Sequence, residues 1–262
     1  MYSTLYTPQG IAISYYLLYN QKLMESEEFT FPARINRYLA HKGLCTRRGA
    51  DALIEKGFVT INGKKAVLGD KVNEADIVEV SKEVLAKAAA GHRYVAYHKP
   101  RGVSTDTQHD SLSIASELPA LRGLYPLGRL DKDSHGLIIL TNDGRLTERL
   151  LHPSRAHEKE YHVHIDKPAT DTLIRHLERG IFIEGYKTKP AKARRAGETT
   201  FNITLTEGKK HQIRRMCAAE GARVIDLERI RIMNIKLGDL KEGAYRDIKG
   251  SELATFLQNI GL

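Results

Sequence analysis

The chain has 262 residues, with 41 Lys and Arg against 32 Asp and Glu, a formal net charge of +9 and a sequence pI near 9.4. Hydrophobic residues at 41% suffice to bury a core, and charged residues at 28% exclude a membrane-embedded composition. The basic balance favours a polyanionic partner, nucleic acid first.

Two cysteines, Cys45 and Cys217, cannot build a disulfide framework or a Cys-rich zinc site, which fits a reducing cytoplasm. No stretch reaches the roughly 18 apolar residues of a membrane span. Ile11 to Leu18 is short, is broken by Ser14 and has no cation ahead of it, so it does not read as a signal peptide. The expectation is a cytoplasmic protein without a membrane partner.

Residues 1–30 hold five of the twelve tyrosines and no clear period. They read as an N-terminal extension, expected to be disordered and assigned no function.

Residues 31–80 read as a small domain. Ile35, Tyr38 and Leu39 fall at helical spacing. Thr46 caps a second helix whose inner face is Ala50, Leu53 and Ile54, and Gly57 closes it. Phe58–Ile61 reads as a strand, Asn62-Gly63 as a hairpin turn and Ile77–Val80 as a further strand. The charge of this unit is lopsided. Arg34, Arg37, Lys42, Arg47, Arg48, Lys56, Lys64 and Lys65 face only Asp51 and Glu55. Two arginines at a helix start oppose the macrodipole but suit a phosphate, because free N–H groups and guanidinium point the same way.

Residues 81–92, rich in Ala and Lys, read as a linker, and 93–262 as a larger domain. Leu137–Leu140 predicts a buried strand, Lys159–Ile165 and Phe201–Leu205 alternating strands, and Pro168–Arg179 and Lys210–Ala219 helices. The order is not βαβαβ. An α+β domain with a mixed, largely antiparallel sheet and flanking helices is expected.

The densest segment runs from Gly128 to Gly144, with Arg129, Asp131, Lys132, Asp133, Ser134 and His135 leading into the buried strand. A loop carried by a rigid strand is a common seat for reacting groups. Asp131, Asp133 and Gly136 fit part of a calcium loop, but His135 stands at position five, where an oxygen ligand is required, and Asn142 at position twelve, where Glu is. Asp131-Lys132-Asp133-Ser134 partly matches an aspartyl-phosphate phosphatase motif, but the hydrophobic strand follows it instead of preceding it. The third reading makes one aspartate the nucleophile or base on a nucleotide, which demands a cation partner, an apolar wall and a surface that grips RNA. Glu207 to Met216 offers the arginines. Tyr161 shares a strand face with Val163 and Ile165 and is suited to stack on a base. His162 and His164 share the opposite face. Two histidines are only part of a metal site, and no metal is expected.

Two resemblances sharpen this reading. Arg34-Ile35-Asn36-Arg37-Tyr38-Leu39-Ala40, Gly43-Leu44-Cys45-Thr46-Arg47-Arg48 and Ile61-Asn62-Gly63-Lys64 resemble the small RNA-binding domain named after ribosomal protein S-four. Lys99-Pro100-Arg101-Gly102-Val103, the Gly128–Gly144 segment, Lys159-Glu160-Tyr161 and His211-Gln212-Ile213-Arg214-Arg215-Met216 resemble, in order, the signature blocks of RsuA-type pseudouridine synthases. Leu227 to Asn234 and Glu242 to Asp247 are most similar to the RluF branch of that family.

The resemblance implies isomerisation of uridine to pseudouridine in folded RNA without a cofactor. It makes Asp131 the catalytic aspartate, Tyr161 the base-stacking tyrosine and Arg214 the partner of Asp131, with Arg215 the adjacent candidate. It gives Arg129 a role in expelling the target uridine. Lys99, Lys209 and Arg215 join Arg34, Arg37, Arg47, Arg48, Lys56 and Lys64 as RNA-contacting cations. Two positions depart from the usual pattern: Ser134, where Thr is commoner, and His211, where Arg is. The expected substrate is large-subunit (23S) ribosomal RNA, a transfer RNA anticodon loop comes second, and the protein is expected to act as a monomer. The rival from another class is a non-catalytic RNA-binding or ribosome-assembly factor.

Overall fold

Thr46 begins the second helix of the small unit. Its Oγ1 accepts from the Gly49 amide at 3.1 Å and caps Arg47–Glu55, as the sequence predicts. The computed structural model describes residues 29–82, 84–85, 91–105, 112–151 and 156–262. The expected extension, up to residue 28, and much of the expected linker lie outside them. The chain forms two compact units: one spans residues to Arg93 together with Thr141–Glu148 and Leu262, the other Tyr94–Leu140 and Arg149–Gly261.

In the first unit, helices Ile35–His41 and Arg47–Glu55 pack with strands β1 (Ala33–Arg34), β2 (Val59–Ile61), β3 (Lys64–Lys65), β4 (Lys71–Val72) and β5 (Val78–Val80). The apolar spacing is what joins them: Ile35, Leu39, Ala50, Ile54, Val59, Ala66 and Val72 form one core. Asn62 and Gly63 both hold positive φ, at 50° and 76°, and turn β2 into β3. Arg34, Arg47, Arg48, Lys56 and Lys64 are all exposed, while Arg37 is half-buried with its guanidinium 5.1 Å from the centre of the Phe29 ring.

The second unit is built on a nine-stranded sheet. Its strands are β6 (Tyr94–Lys99), β7 (Tyr125–Pro126), β8 (His135–Thr141), β9 (Lys159–Ile165), β12 (Lys192–Arg195), β13 (Thr200–Leu205), β14 (Val224–Ile232), β15 (Ile235–Lys236) and β16 (Tyr245–Asp247). Between β9 and β12 in the chain, β10 (Phe182–Ile183) and β11 (Tyr186–Lys187) form a separate hairpin. The main order is β12-β13-β9-β14-β8-β6-β16, with β15 beside β14 and β7 beside β8. The β14–β8 pair is parallel, while β12–β13, β13–β9, β9–β14 and β6–β16 are antiparallel, so the sheet is mixed and largely antiparallel.

Two helix starts differ from the sequence expectation. The Pro168 segment becomes helical only at Asp171, because Thr170 takes the cap and accepts from the Leu173 amide at 3.2 Å. The Lys210 helix starts at Gln212, because His211 adopts a left-handed conformation at φ 52°. Helices Asp171–Arg179 and Gln212–Ala219 bury Leu173, Ile174, Leu177, Ile213, Met216 and Cys217 with Val163, Ile165, Phe201 and Ile203 of the sheet. Each such large apolar side chain contributes about 1.5–3 kcal/mol on burial. The result is a stiff platform behind β9 and β13. Among the described residues no helix is long and apolar enough to cross a membrane.

Candidate active site

A cleft of about 830 Å³ opens in the second unit, and its lining includes Asp131, Tyr161 and His211. Six Lys or Arg residues line it (Arg129, Lys132, Lys159, Lys209, Lys210 and Arg229) against three carboxylates, Asp131, Asp133 and Glu207. That balance suits a polyanion threaded past an apolar floor that includes Leu130, Leu205, Ile213 and Leu227.

Asp131 stands in the loop that feeds β8, and the backbone of this loop is tied at five successive carbonyls. Arg229 Nη1 donates to Arg129 O at 3.2 Å, and Thr105 Oγ1 donates to Leu130 O at 2.7 Å. The Ser134 amide donates to Asp131 O at 3.0 Å and the Gly102 amide to Lys132 O at 2.8 Å. Arg214 Nη2 donates to Asp133 O at 3.0 Å. The Thr105 hydroxyl also accepts from the Leu130 amide at 3.2 Å. These bonds fix the peptide groups and leave the Asp131 side chain, 38% exposed, on the cleft. A preset loop spares the cost of ordering the reacting group during the reaction.

Below the loop, Gly136 makes the close approach of β8 to β14 possible. It holds φ 103°, and a Cβ there would meet the Arg229 backbone oxygen at 2.5 Å.

The expected partners of Asp131 are arranged differently from the simple pairing. Among the described residues, the ion-pair contact of its carboxylate is His211 Nε2 at 3.6 Å. Arg214 holds the neighbouring backbone, with a further contact from Nη2 to Ser134 Oγ at 3.4 Å and one from Nη1 to Val224 O at 3.3 Å. Arg215 is turned away: it pairs with Glu184 at 2.7 Å, donates to Lys210 O at 3.2 Å and lies 5.9 Å from the Tyr186 ring centre. Ser134 is buried, so its hydroxyl serves the loop. Tyr161 is half-buried on β9, opposite Ile203 on one side and Arg229 on the other, and packs against the apolar cluster behind the sheet. Arg129 and Lys209 are exposed at the cleft, Lys209 also 5.7 Å from the Tyr186 ring centre.

Lys99 corrects an expectation. It is fully buried and outside the cleft lining, so it offers no surface for RNA. Its ammonium donates to Pro100 O and Val103 O, each at 2.8 Å, and so shapes the turn that carries Gly102 to the Asp131 loop. Burial, reinforced by the Arg229 guanidinium, pushes its pKa down to about 8.

Two site residues were not singled out from sequence. Arg229 is 3% exposed, donates through Nε to Leu137 O at 2.7 Å, and leaves its buried Nη2 without a partner among the described residues. A buried guanidinium donor lining a cleft is costly unless something accepts from it. The signal was present: alternation on β14 puts Arg229 on the same face as buried Leu227. Lys159 likewise lines the cleft, and burial, then Arg229, lowers its pKa to about 8.

The comparisons agree with this architecture. A family model described as RNA pseudouridylate synthase matches residues 93–219, and one described as S4 domain matches residues 33–78. The chain is 43% identical over 222 residues to the dual-specificity RNA pseudouridine synthase RluF of Salmonella typhi, covering 84% of this chain and 77% of that one. It is 35% identical over 232 residues to the ribosomal large subunit pseudouridine synthase B of Bacillus subtilis, covering 84% and 93%. A crystal structure of a pseudouridylate synthase superposes with a TM-score of 0.63 at 28% identity, covering 87% of this chain and 99% of that one. A tethered aspartate in a basic cleft, joined to an S4 domain and matched at this identity over most of the chain, marks this protein as a member of the RsuA-type RNA pseudouridine synthase family.

Proposed function

We propose that Asp131 is the group that opens the glycosidic bond of the target uridine. In the reaction the N1–C1′ bond breaks, the uracil turns, a C5–C1′ bond forms, C5 gives up its proton and N1 gains one. Atoms and electrons balance within the nucleotide, which leaves the protein to supply a carboxylate, proton transfer and orientation. Attack of Asp131 at C1′ and carboxylate-assisted glycal formation both start from this side chain. The observation that carries the reading is the five-carbonyl tether, which holds one carboxylate at the floor of a basic cleft.

In this reading Tyr161 stacks on the displaced base and Arg214 positions the Asp131 loop. Arg129, Lys209 and the partnerless Nη2 of Arg229 receive the flipped nucleotide and its phosphates. Residues 31–80 dock RNA through Arg34, Arg37, Arg47, Arg48, Lys56 and Lys64, residues 81–92 link, and residues 93–262 carry the chemistry. Large-subunit ribosomal RNA is the first substrate, by the name of the Bacillus relative. The dual-specificity name of the Salmonella relative favours a second RNA as well. We place the enzyme in the cytoplasm as a monomer.

The test is Asp131→Asn assayed by tritium release from RNA labelled at uridine C5. The expected result is no turnover with RNA affinity retained. Full turnover would remove Asp131 from the mechanism.

A further inference from the structure

We infer that His98, His135 and Glu228 form a binding site for a divalent transition-metal ion of the zinc class. The three residues come from adjacent strands: His98 from β6, His135 from the first position of β8, and Glu228 from β14, where it is the register partner of His135. His98 Nε2 and His135 Nδ1 lie 3.5 Å apart. Glu228 Oε1 lies 3.7 Å from the first and 3.8 Å from the second. Ligands of a tetrahedral zinc ion with bonds of about 2.0–2.1 Å stand about 3.3–3.4 Å apart, so a contraction of a few tenths of an ångström closes the site.

The partners of the two rings fix their chemistry. His98 Nδ1 lies 2.8 Å from Leu240 O, which can only accept, so that nitrogen carries the proton. His135 Nε2 lies 3.0 Å from both oxygens of Asp226, which in turn is paired with Arg101, so the His135 proton is directed outward to that carboxylate. With those outer contacts made, His98 Nε2 and His135 Nδ1 face each other and the Glu228 carboxylate. The Glu228 carboxylate is presented to both of these nitrogens. Two ring nitrogens and a carboxylate oxygen thus converge on one point, and a metal ion there makes three bonds at once. The outer acceptors, Leu240 O and Asp226, supply the second shell that ligating histidines use to fix ring orientation.

The donor set of two imidazoles and one carboxylate suits zinc or cobalt better than magnesium or calcium. His98 is 7% exposed, whereas the side chains of His135 and Glu228 are 18% and 24% exposed, which leaves one approach for the ion and a fourth ligand from water. The ion would staple three strands at the point where the Asp131 loop enters β8. The cluster is outside the cleft lining, and the inference stands apart from the assignment of Asp131.

The experiment uses the untagged full chain, stripped with chelator and titrated with Co²⁺ and then Zn²⁺. One equivalent of Co²⁺ is expected to give the visible absorption of a tetrahedral N/O site, displaced by Zn²⁺. Glu228→Gln and His135→Gln should weaken binding at least about 100-fold, and Asp226→Asn about 10–100-fold. On the unsubstituted chain, Co²⁺ should shift the imidazole protons of His98 and His135 most strongly, leaving His162, His164 and His211 less affected. That readout holds even if a variant fails to fold. No binding by the unsubstituted chain, equal binding by folded variants, or paramagnetic shifts centred on other histidines would overturn the proposal and leave a shared proton as the occupant.

Discussion

Arg214 donates through Nη2 to the carbonyl oxygen of Asp133 at 3.0 Å, two residues beyond Asp131. The guanidinium thus acts on the peptide that aims the carboxylate, and its second contact, to Ser134 Oγ at 3.4 Å, spreads the same grip. Replacing it with Lys keeps the charge and loses the fork. Arg214→Lys is expected to lower single-turnover rate by about 100-fold with little change in RNA affinity. Equal losses in rate and affinity would make Arg214 an RNA contact instead.

Gly136 supplies a stability test. A Cβ at φ 103° would lie 2.5 Å from one backbone atom of Arg229 and 2.6 Å from another, and backbone on a central strand yields little. Gly136→Ala is expected to cost about 3 kcal/mol or more, from overpacking plus backbone strain. The denaturant midpoint measures it. A variant as stable as the parent would show that β8 and β14 can separate freely.

The small domain predicts a salt effect. If Arg47 and Arg48 contact phosphates, replacing both with Ala should reduce the slope of log affinity against log salt by about 1.4–1.8, at roughly 0.7–0.9 per phosphate. An unchanged slope would remove this helix start from docking.

Lys159 gives a pH test with a defined sign. Its folded pKa near 8 lies below the ordinary 10.5, so the unfolded chain holds the proton more tightly. The penalty for burying the charge is full below about pH 8 and is relieved as pH rises toward 10.5. Lys159→Met should therefore be more stable than the parent at pH 7, by a margin that shrinks toward pH 10. A margin independent of pH would place the Lys159 titration elsewhere.

Much of the small unit could be read before folding, because its signals are local: the Thr46 cap, the Asn62-Gly63 turn and the 3.6-residue apolar spacing each act over a few residues. The strands Lys159–Ile165 and Phe201–Leu205 were legible for the same reason, since alternation is written in the strand itself. The site was less so. Its blocks pointed to Asp131, Tyr161 and Arg214, but the contact of His211 with Asp131 depends on a left-handed residue at a helix start, a conformation uncommon for any residue but Gly and not written in the local sequence. Burial of Lys99 depends on two carbonyls in a turn that only tertiary packing brings to its ammonium. The histidine cluster was missed because its members are 37 and 93 positions apart along the chain, and only the β14–β8–β6 order makes them neighbours. The paired His162 and His164 looked more suggestive, yet His162 is hydrogen-bonded to Asn202 at 2.8 Å.

A backbone fastened at every carbonyl from Arg129 to Asp133 has no slack with which to meet a stacked uridine halfway. The deformation must then come from the nucleic acid, and its energetic burden differs from site to site. Nucleotides in bulges, mismatches and strained loops yield most easily. An enzyme with so stiff a floor would rank its targets by the pliability of the RNA around them as much as by the letters they spell.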